Sequence, residues 1–365
     1  MRVLFLTNIP SPYRVDFFNE LGKLCDLTVT FEGNNSKERD KNWKCDPARC
    51  FKAVYLNGIR ISADKFLSLK ILKILAKDWD TIIIGGYSTP TSIIAIEYLR
   101  YHKRNFFIEA DGGFIGNDNV VKYWFKKHLI ASASGWFTSG KATTEYLVHY
   151  GANLEKCYFY PFTSLNKRDL NSINNLNLIN KNFIRKKLCM KEDRIVLAVG
   201  QYIRRKGFDV LIQAMKELPK NIGCYIVGGK PTAEYLKMKS VYNLNNVHFI
   251  EFKTKPELVE YFCASDVFVH PTREDVWGLV VNEAMAFGLP VITTDHCIAG
   301  LELVDAANGA IVPVDDGLAL RKSIEEILNG DLEEMGKKSV ERISRYTTQN
   351  MAIYHMKMLK EFNEQ

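Results

Sequence analysis

No window of eighteen apolar residues free of charge occurs in the 365-residue sequence. The longest contender, Thr81 to Leu99, is broken by Gly85, Gly86, Pro90 and Glu97, so no membrane-spanning helix is expected. No secretory leader is expected either. Met1-Arg2 leads directly into Val3-Leu4-Phe5-Leu6 and then Pro10, too short an apolar run for a signal h-region, and reads as a first strand. There is no C-x-x-C. The eight cysteines (Cys25, Cys45, Cys50, Cys157, Cys189, Cys224, Cys263 and Cys297) are scattered, several within apolar runs, and read as reduced, buried thiols in a reducing compartment. No repeat of 20–50 residues is visible, which sets solenoids and propellers aside. A strong charge bias is missing too. The formal charge of +7 and pI near 8.8 suit phosphate-bearing ligands or an anionic membrane, but also many proteins with neither. With no helix-turn-helix or stacking motif, no nucleic-acid partner is expected.

What is present describes a two-domain α/β protein. With 47% hydrophobic and 25% charged residues the composition is globular, and 365 residues exceed the size at which one core stops growing. Short β-branched and aromatic runs alternate with stretches of helical spacing, the signature of βαβ units on parallel sheets. Strands are predicted near 2–8, 27–32, 50–56, 80–86, 104–110, 135–139 and 157–161, then near 194–200, 223–228, 247–251, 266–270, 290–294 and 309–313. Ser164 to Asn182, rich in Asn and charge, reads as a linker plus a short helix and marks the boundary. The expected division is residues 1–165, a linker over 166–190, a second domain over 191–345, and a terminal helix over 346–365. The stripe Met351, Tyr354, Met358, Leu359 and Phe362 would dock that helix on either domain, with a return to the first among the expectations.

The chemistry concentrates in the second half. The strand 194–200 ends in Gly200-Gln201-Tyr202-Ile203-Arg204-Arg205-Lys206-Gly207, ahead of a helix. A strand-end loop carrying Gly and three cations suits a diphosphate, because Arg donates forked hydrogen bonds and Lys a point charge; a solvated basic turn explains it as well. Val227-Gly228-Gly229-Lys230 ends the next strand, where the glycines admit a ligand or simply turn the chain. The longest block runs from His270-Pro271-Thr272-Arg273-Glu274-Asp275 through Trp277-Gly278-Leu279 and Glu283 to Gly288-Leu289-Pro290, with a helix expected from about Trp277. Asp275 and Glu283 are eight positions apart, roughly 12 Å along a helix. They could bracket one extended ligand, or be a helix cap and a solvated residue.

These residues carry a resemblance. The ordered set Gly200, Arg205-Lys206-Gly207, Gly228-Gly229, His270-Pro271-Thr272, Asp275-x7-Glu283-Ala-Met-Ala-x-Gly-x-Pro-Val-Ile and Gly300-x-Glu302 resembles the donor domain of glycosyltransferase family 4, strongly over about 190–350 and loosely in the first half. The resemblance implies a GT-B fold: two facing Rossmann-like domains with parallel sheets and an interdomain cleft. It also implies a retaining, metal-independent transfer of a hexose-type sugar from a nucleotide-diphosphate sugar, which is a substrate and not a cofactor. The acceptor would be a glycan or a polyprenyl-diphosphate-linked chain in bacterial surface polysaccharide or glycoconjugate synthesis. Arg205, Lys206, Asp275, Glu283 and Asp111 would take catalytic roles. Gly200, Gln201, Arg204, Gly228, Gly229, His270, Glu274, Trp277, Gly278 and Leu279 would bind the donor. The sequence departs from the family at Asp275, where a glutamate is usual and Glu274 could substitute, and at Gln201, where an arginine is common.

In the first half the loop Asn8-Ile9-Pro10-Ser11-Pro12-Tyr13-Arg14 resembles that of a family subset, making Pro12, Tyr13 and Arg14 acceptor-binding expectations, with Arg14 as a merely exposed side chain the alternative. Asp111, in Glu109-Ala110-Asp111-Gly112-Gly113, is an expected sugar contact or a turn residue. No metal site is expected: the one D-x-D match, Asp78-Trp79-Asp80, precedes its strand and reads as chance. The segment 117–130 places apolar residues beside lysines, as in a helix lying on an anionic membrane, although packing on the sheet explains it more simply. The expected location is cytoplasmic, with peripheral contact at the inner membrane face a further possibility of that helix. The rival readings are a non-catalytic nucleotide-sugar-binding protein and another GT-B enzyme, such as an epimerase or a phosphorylase.

Overall fold

A computed structural model describes residues 1–34, 48–176 and 180–363. The chain forms two compact units, one of Met1–Asn166 with Tyr346–Gln365, the other of Lys167–Arg345.

The first unit is built on a parallel seven-stranded sheet in the spatial order Lys52–Tyr55, Asp26–Phe31, Arg2–Thr7, Thr81–Gly85, Phe107–Ala110, Gly135–Thr138, Cys157–Phe159. The second has six parallel strands in the order Val247–Ile250, Ile222–Val227, Arg194–Val199, Val267–His270, Val291–Thr294, Gly309–Val312. All thirteen predicted strands are present. Each sheet runs outward in one direction from its first strand, then reverses and grows the other way, which is the Rossmann order. The physical reason is visible in the strand sequences. Ile-Val-Leu-Ala-Val and Val-Phe-Val-His bury both faces, as parallel strands covered by helices on each side must. In the second unit Val196, Ala198, Cys224, Ile226, Val267 and Val269 pack on Leu211, Met215, Leu320 and Ile324. In the first, Leu4, Leu6, Ile82, Ile84 and Ile108 pack on Ile96, Leu99 and Leu147.

In each sheet the reversal falls beside the first strand, so a crevice opens at the carboxyl ends of that strand and its neighbour. In the second unit this places the loops after Val199 and after His270 side by side; in the first unit, those after Thr7 and after Gly85.

Several expectations are corrected. Residues 181–190, expected within the linker, contain the helix Lys181–Lys187, part of the second unit. Lys181 Nζ donates to Ser265 O at 2.7 Å and Arg185 Nη2 to Asp266 Oδ2 at 2.6 Å, while Ile184 is buried, so the polar run conceals a docked face. Pro12–Arg14 are the first turn of the helix Pro12–Leu21 and not part of a loop, since Pro suits a first helical position. A two-stranded hairpin, Ile59–Arg60 with Phe66–Leu67, was not foreseen. Among the described residues the cysteines are free thiols, of which only Cys224 and Cys297 are buried and Cys189 is exposed; Cys45 lies outside the described residues. The terminal helix Thr348–Asn363 lies on the helix Pro12–Leu21 of the first unit. No helix among the described residues is long and apolar enough to cross a membrane.

Candidate functional site

In the second unit the two loops at the reversal point are stitched together. The Gly200 loop ends in a single 3-10 turn, Arg204–Lys206, closed by Gly207 at φ 66°. A Cβ on Gly207 would stand 1.8 Å from Pro271 O, so only glycine lets this loop meet the one after His270. Arg205 O accepts from Arg273 N at 2.7 Å and from Thr272 Oγ1 at 3.0 Å. Arg205 Nη1 donates to Glu274 O at 2.7 Å. Arg273 in turn donates to Arg204 O at 2.6 Å and pairs with Asp209 at 2.5 Å. Thr272 and Arg273 hold the basic loop in place, a role that no local sequence signal announces.

The charged centre is formed by Asp275 and the three side chains around it. Lys206 Nζ donates to Asp275 Oδ2 at 2.6 Å, and His270 Nε2 donates to the same oxygen at 2.9 Å. Arg205 Nη1 stands 3.7 Å from Asp275 Oδ1. Burial alone would raise the Asp275 carboxyl, but the His270 hydrogen bond and the Lys206 charge outweigh it and hold it well below the usual carboxylate range. His270 is fully buried and its pKa is pushed down, first by burial and then by Lys206. Its proton sits on Nε2, leaving a buried Nδ1 without a partner among the described residues. Lys206 has three hydrogens and Asp275 takes one.

The other expected donor residues divide. Gly228 lies against Gly200, where a Cβ would stand 1.6 Å from its carbonyl, whereas the Gly229 position is open. Gln201 and Arg204 are exposed on the same loop. The helix begins at Leu279 and not at Trp277, because Gly278 takes φ 99°, outside helical space. Trp277 is buried and donates its indole N–H to Asn282 Oδ1 at 2.8 Å, so its side chain serves packing instead of facing a ligand. Glu283 is half-buried in the helix Leu279–Ala286. Asp275 is no helix cap; the N-cap is Gly278.

In the first unit the structure brings Arg14 and Asp111 together. Arg14 Nη2 donates to Asp111 Oδ1 at 2.5 Å, and Nη1 donates to Glu109. The guanidinium is buried, not exposed, which leaves Asp111, 26% exposed, as the more accessible member of the pair. Tyr160 OH donates to Asp111 Oδ1 at 2.9 Å. Burial, with Glu109 nearby, raises the Asp111 carboxyl in spite of Arg14. Tyr13 stands edge-on to Phe162 at 5.7 Å. Sequence reading missed Glu109, Tyr160 and His355, which complete this cluster. Asp80, in the D-x-D match, accepts from Arg2 N at 2.7 Å at the amino edge of the sheet. Among the described residues no three His, Cys, Asp or Glu side chains are grouped to hold a metal.

The helix Val120–Ile130 buries only Leu129 and Ile130. Val121 is 79% and Trp124 58% exposed, with Val120 and Phe125 beside them, so packing on the core accounts for the last turn and the half-buried Tyr123 but not for this apolar face. A cavity of about 620 Å³ adjoins it, lined by Arg100, Lys103, Arg104, Trp124, Lys127 and His128. It opens at the amino edge of the sheet, beside Asn105 and Ser134, the opposite edge from Asp111.

Residues 180–350, nearly coextensive with the second unit, match the family model described as glycosyl transferases group 1. The chain carries a group 1 glycosyltransferase domain. Matches to some curated relatives are longer than that group 1 domain. The chain is 27% identical over 207 residues to the lipopolysaccharide glucosyltransferase WaaG of Escherichia coli, the match covering 51% of this chain and 53% of that protein. It is 25% identical over 258 residues to the O-antigen biosynthesis glycosyltransferase WclY of Escherichia coli, covering 68% and 69%. The match to WaaG thus spans about half the length of that relative. Among solved structures, Anabaena HepE in complex with UDP superposes with a TM-score of 0.76 over 99% of this chain and 100% of that one, at 16% identity. The group 1 domain and its companion unit share the GT-B fold of these structures.

Proposed function

We propose that the protein is a retaining glycosyltransferase that moves a hexose-type sugar from a nucleotide-diphosphate sugar to a glycan or polyprenyl-diphosphate-linked acceptor. The observation that carries this reading is the cluster of Lys206, Asp275 and His270 at the strand ends of the reversal point. Lys206 and Arg205 supply charge to the leaving diphosphate, and the amides opening the helix at Leu279 supply donors. Glu283, further along that helix, takes the ribose hydroxyls. The anomeric carbon–phosphate oxygen bond breaks as the acceptor oxygen forms its bond on the same face, and the acceptor proton passes to the departing phosphate. Arg205 and Lys206 do the neutralising work that a metal ion does elsewhere, so no cofactor is assigned. Retention follows from the family resemblance. UDP bound to HepE and the surface-glycan names of WaaG and WclY support the donor class and the acceptor class.

In the first unit Asp111 contacts the acceptor, and the exposed helix Val120–Ile130 rests on the inner face of the cell membrane, where a lipid-linked acceptor resides. Its apolar side chains and the basic cavity beside them suit an anionic bilayer.

The test is release of nucleoside diphosphate from a panel of UDP- and GDP-hexoses, with and without acceptors, by the wild type and by Lys206→Ala. Acceptor-stimulated release lost in the variant is expected. Binding of a nucleotide sugar with no turnover on any acceptor would instead establish a non-catalytic binding protein.

A further inference from the structure

The helix Thr348–Asn363 does more than close the first unit. His355, at its centre, is fully buried. Its Nδ1 lies 2.8 Å from Met351 O and its Nε2 2.7 Å from Glu109 Oε2. A carbonyl and a carboxylate can only accept, so both ring nitrogens donate and both carry hydrogen. Glu109 is the ionised partner: burial works against its charge, yet Arg14 and His355 together hold its carboxyl low. The ring is stacked on Phe137 at 4.3 Å and flanked by Tyr160 at 4.8 Å and Phe17 at 4.9 Å, surroundings that favour a cation over aromatic faces.

The contacts then run in one direction. His355 holds Glu109; the other oxygen of Glu109 accepts from Arg14; Arg14 reaches Asp111, which Tyr160 also binds. Two cations, Arg14 and His355, face two carboxylates. We propose that His355 is a positioning residue for the acceptor: as a buried imidazolium it fixes Glu109, and through Glu109 and Arg14 it keeps the Asp111 carboxylate ionised and aimed at an acceptor hydroxyl. The proposal rests on the reading of Asp111 as the acceptor contact. Without the His355 charge the cluster carries an excess negative charge, which Asp111, whose carboxyl is already raised, relieves by taking a proton. The charged and titratable groups facing it are Arg14, Glu109 and Tyr160, with His355 behind Glu109.

Two measurements test this. The first uses the wild type: nitrogen-15 NMR of histidine-labelled protein at about pH 7, where His355 is expected with both ring nitrogens protonated. A neutral ring overturns the proposal, whatever any variant does. The second compares His355→Gln, which keeps a donor for Glu109 but loses the charge, with Asp111→Asn. Both should raise the acceptor KM about tenfold while the donor KM changes by less than about twofold, and the double variant should be no worse than either single one. The acid limb of the acceptor-dependent rate should move to higher pH in His355→Gln. A lowered melting temperature with an unchanged acceptor KM and pH limb in His355→Gln would mean a structural role only, and would sink the proposal. An unchanged acceptor KM in Asp111→Asn would instead overturn the underlying reading of Asp111.

Discussion

Lys206 and Asp275 form a direct ion pair, Nζ to Oδ2 at 2.6 Å, with the side chains only 14% and 16% exposed. Asp275→Ala should therefore strand a largely buried cation and cost about 3 kcal/mol, the lower end for a broken buried pair because some solvent reaches both groups. The pH dependence has a definite sign. The folded-state Asp275 carboxyl lies below its unfolded value, so its stabilisation is fully present above about pH 4 and is lost as pH falls further. Urea unfolding should show a wild-type advantage over Asp275→Ala at about pH 7 that shrinks towards about pH 3. An advantage independent of pH would refute this.

Lys206→Ala and Arg205→Ala should both weaken nucleoside diphosphate binding, Lys206→Ala by roughly ten- to a hundredfold, the range for a charge-assisted hydrogen bond. Arg205→Ala should cost less, because Arg205 is half exposed and already donates to Glu274 O. Calorimetric titration with UDP and GDP measures both. The reverse order would move the main phosphate contact onto Arg205.

Gly207→Ala combines a left-handed backbone with a Cβ 1.8 Å from Pro271 O, whereas Gly229→Ala, at φ 115°, meets nothing within 4 Å. Strain alone should cost Gly229→Ala about 1–3 kcal/mol, and overpacking should add roughly as much again at Gly207. Thermal unfolding should rank Gly207→Ala as the less stable variant, and its nucleotide affinity should fall because Lys206 shifts with the loop.

Glu32 has a carboxyl raised to about 7, chiefly by burial, with one oxygen accepting from Thr89 Oγ1 at 2.5 Å. A raised carboxyl pKa means that the folded state holds the proton more tightly, so stability declines as pH rises from about 4.5 to about 7. Glu32→Gln should remove that decline and gain about 2–3 kcal/mol at alkaline pH. Chemical denaturation of both proteins across this range would show two parallel curves if Glu32 did not titrate there.

Membrane contact through the helix Val120–Ile130 predicts binding to phosphatidylglycerol vesicles that weakens about tenfold in Trp124→Ala and falls with added salt. Vesicle flotation reads this directly. Equal binding to neutral phosphatidylcholine vesicles would count against the basic cavity as a contributor.

Much of this molecule is legible in its residue order. Near-continuous apolar runs, β-branched and aromatic residues and Gly or Pro punctuation specify every strand of the two sheets, because strand formation in a parallel sheet depends on local apolar content that sequence states openly. The Arg205-Lys206 loop and the His270-to-Pro290 block were legible for a related reason: a ligand site at strand ends draws on a few contiguous residues. The helix start was less so, since Trp277 reads as helical and only the left-handed Gly278 excludes it.

Only the tertiary structure decided which charges meet. Lys206 and Asp275 are 69 positions apart, and Glu109 and His355 are 246 apart. A long-range ion pair leaves no periodicity, and its members read locally as solvated surface or as a cap. Arg14 could be judged exposed or functional from its neighbours; the fold buries it between Glu109 and Asp111. The sequence by itself determined two Rossmann-like sheets and a basic strand-end loop. Folding determined the partners of those charges, because burial must be compensated, and which groups provide the compensation depends on the path of the whole chain.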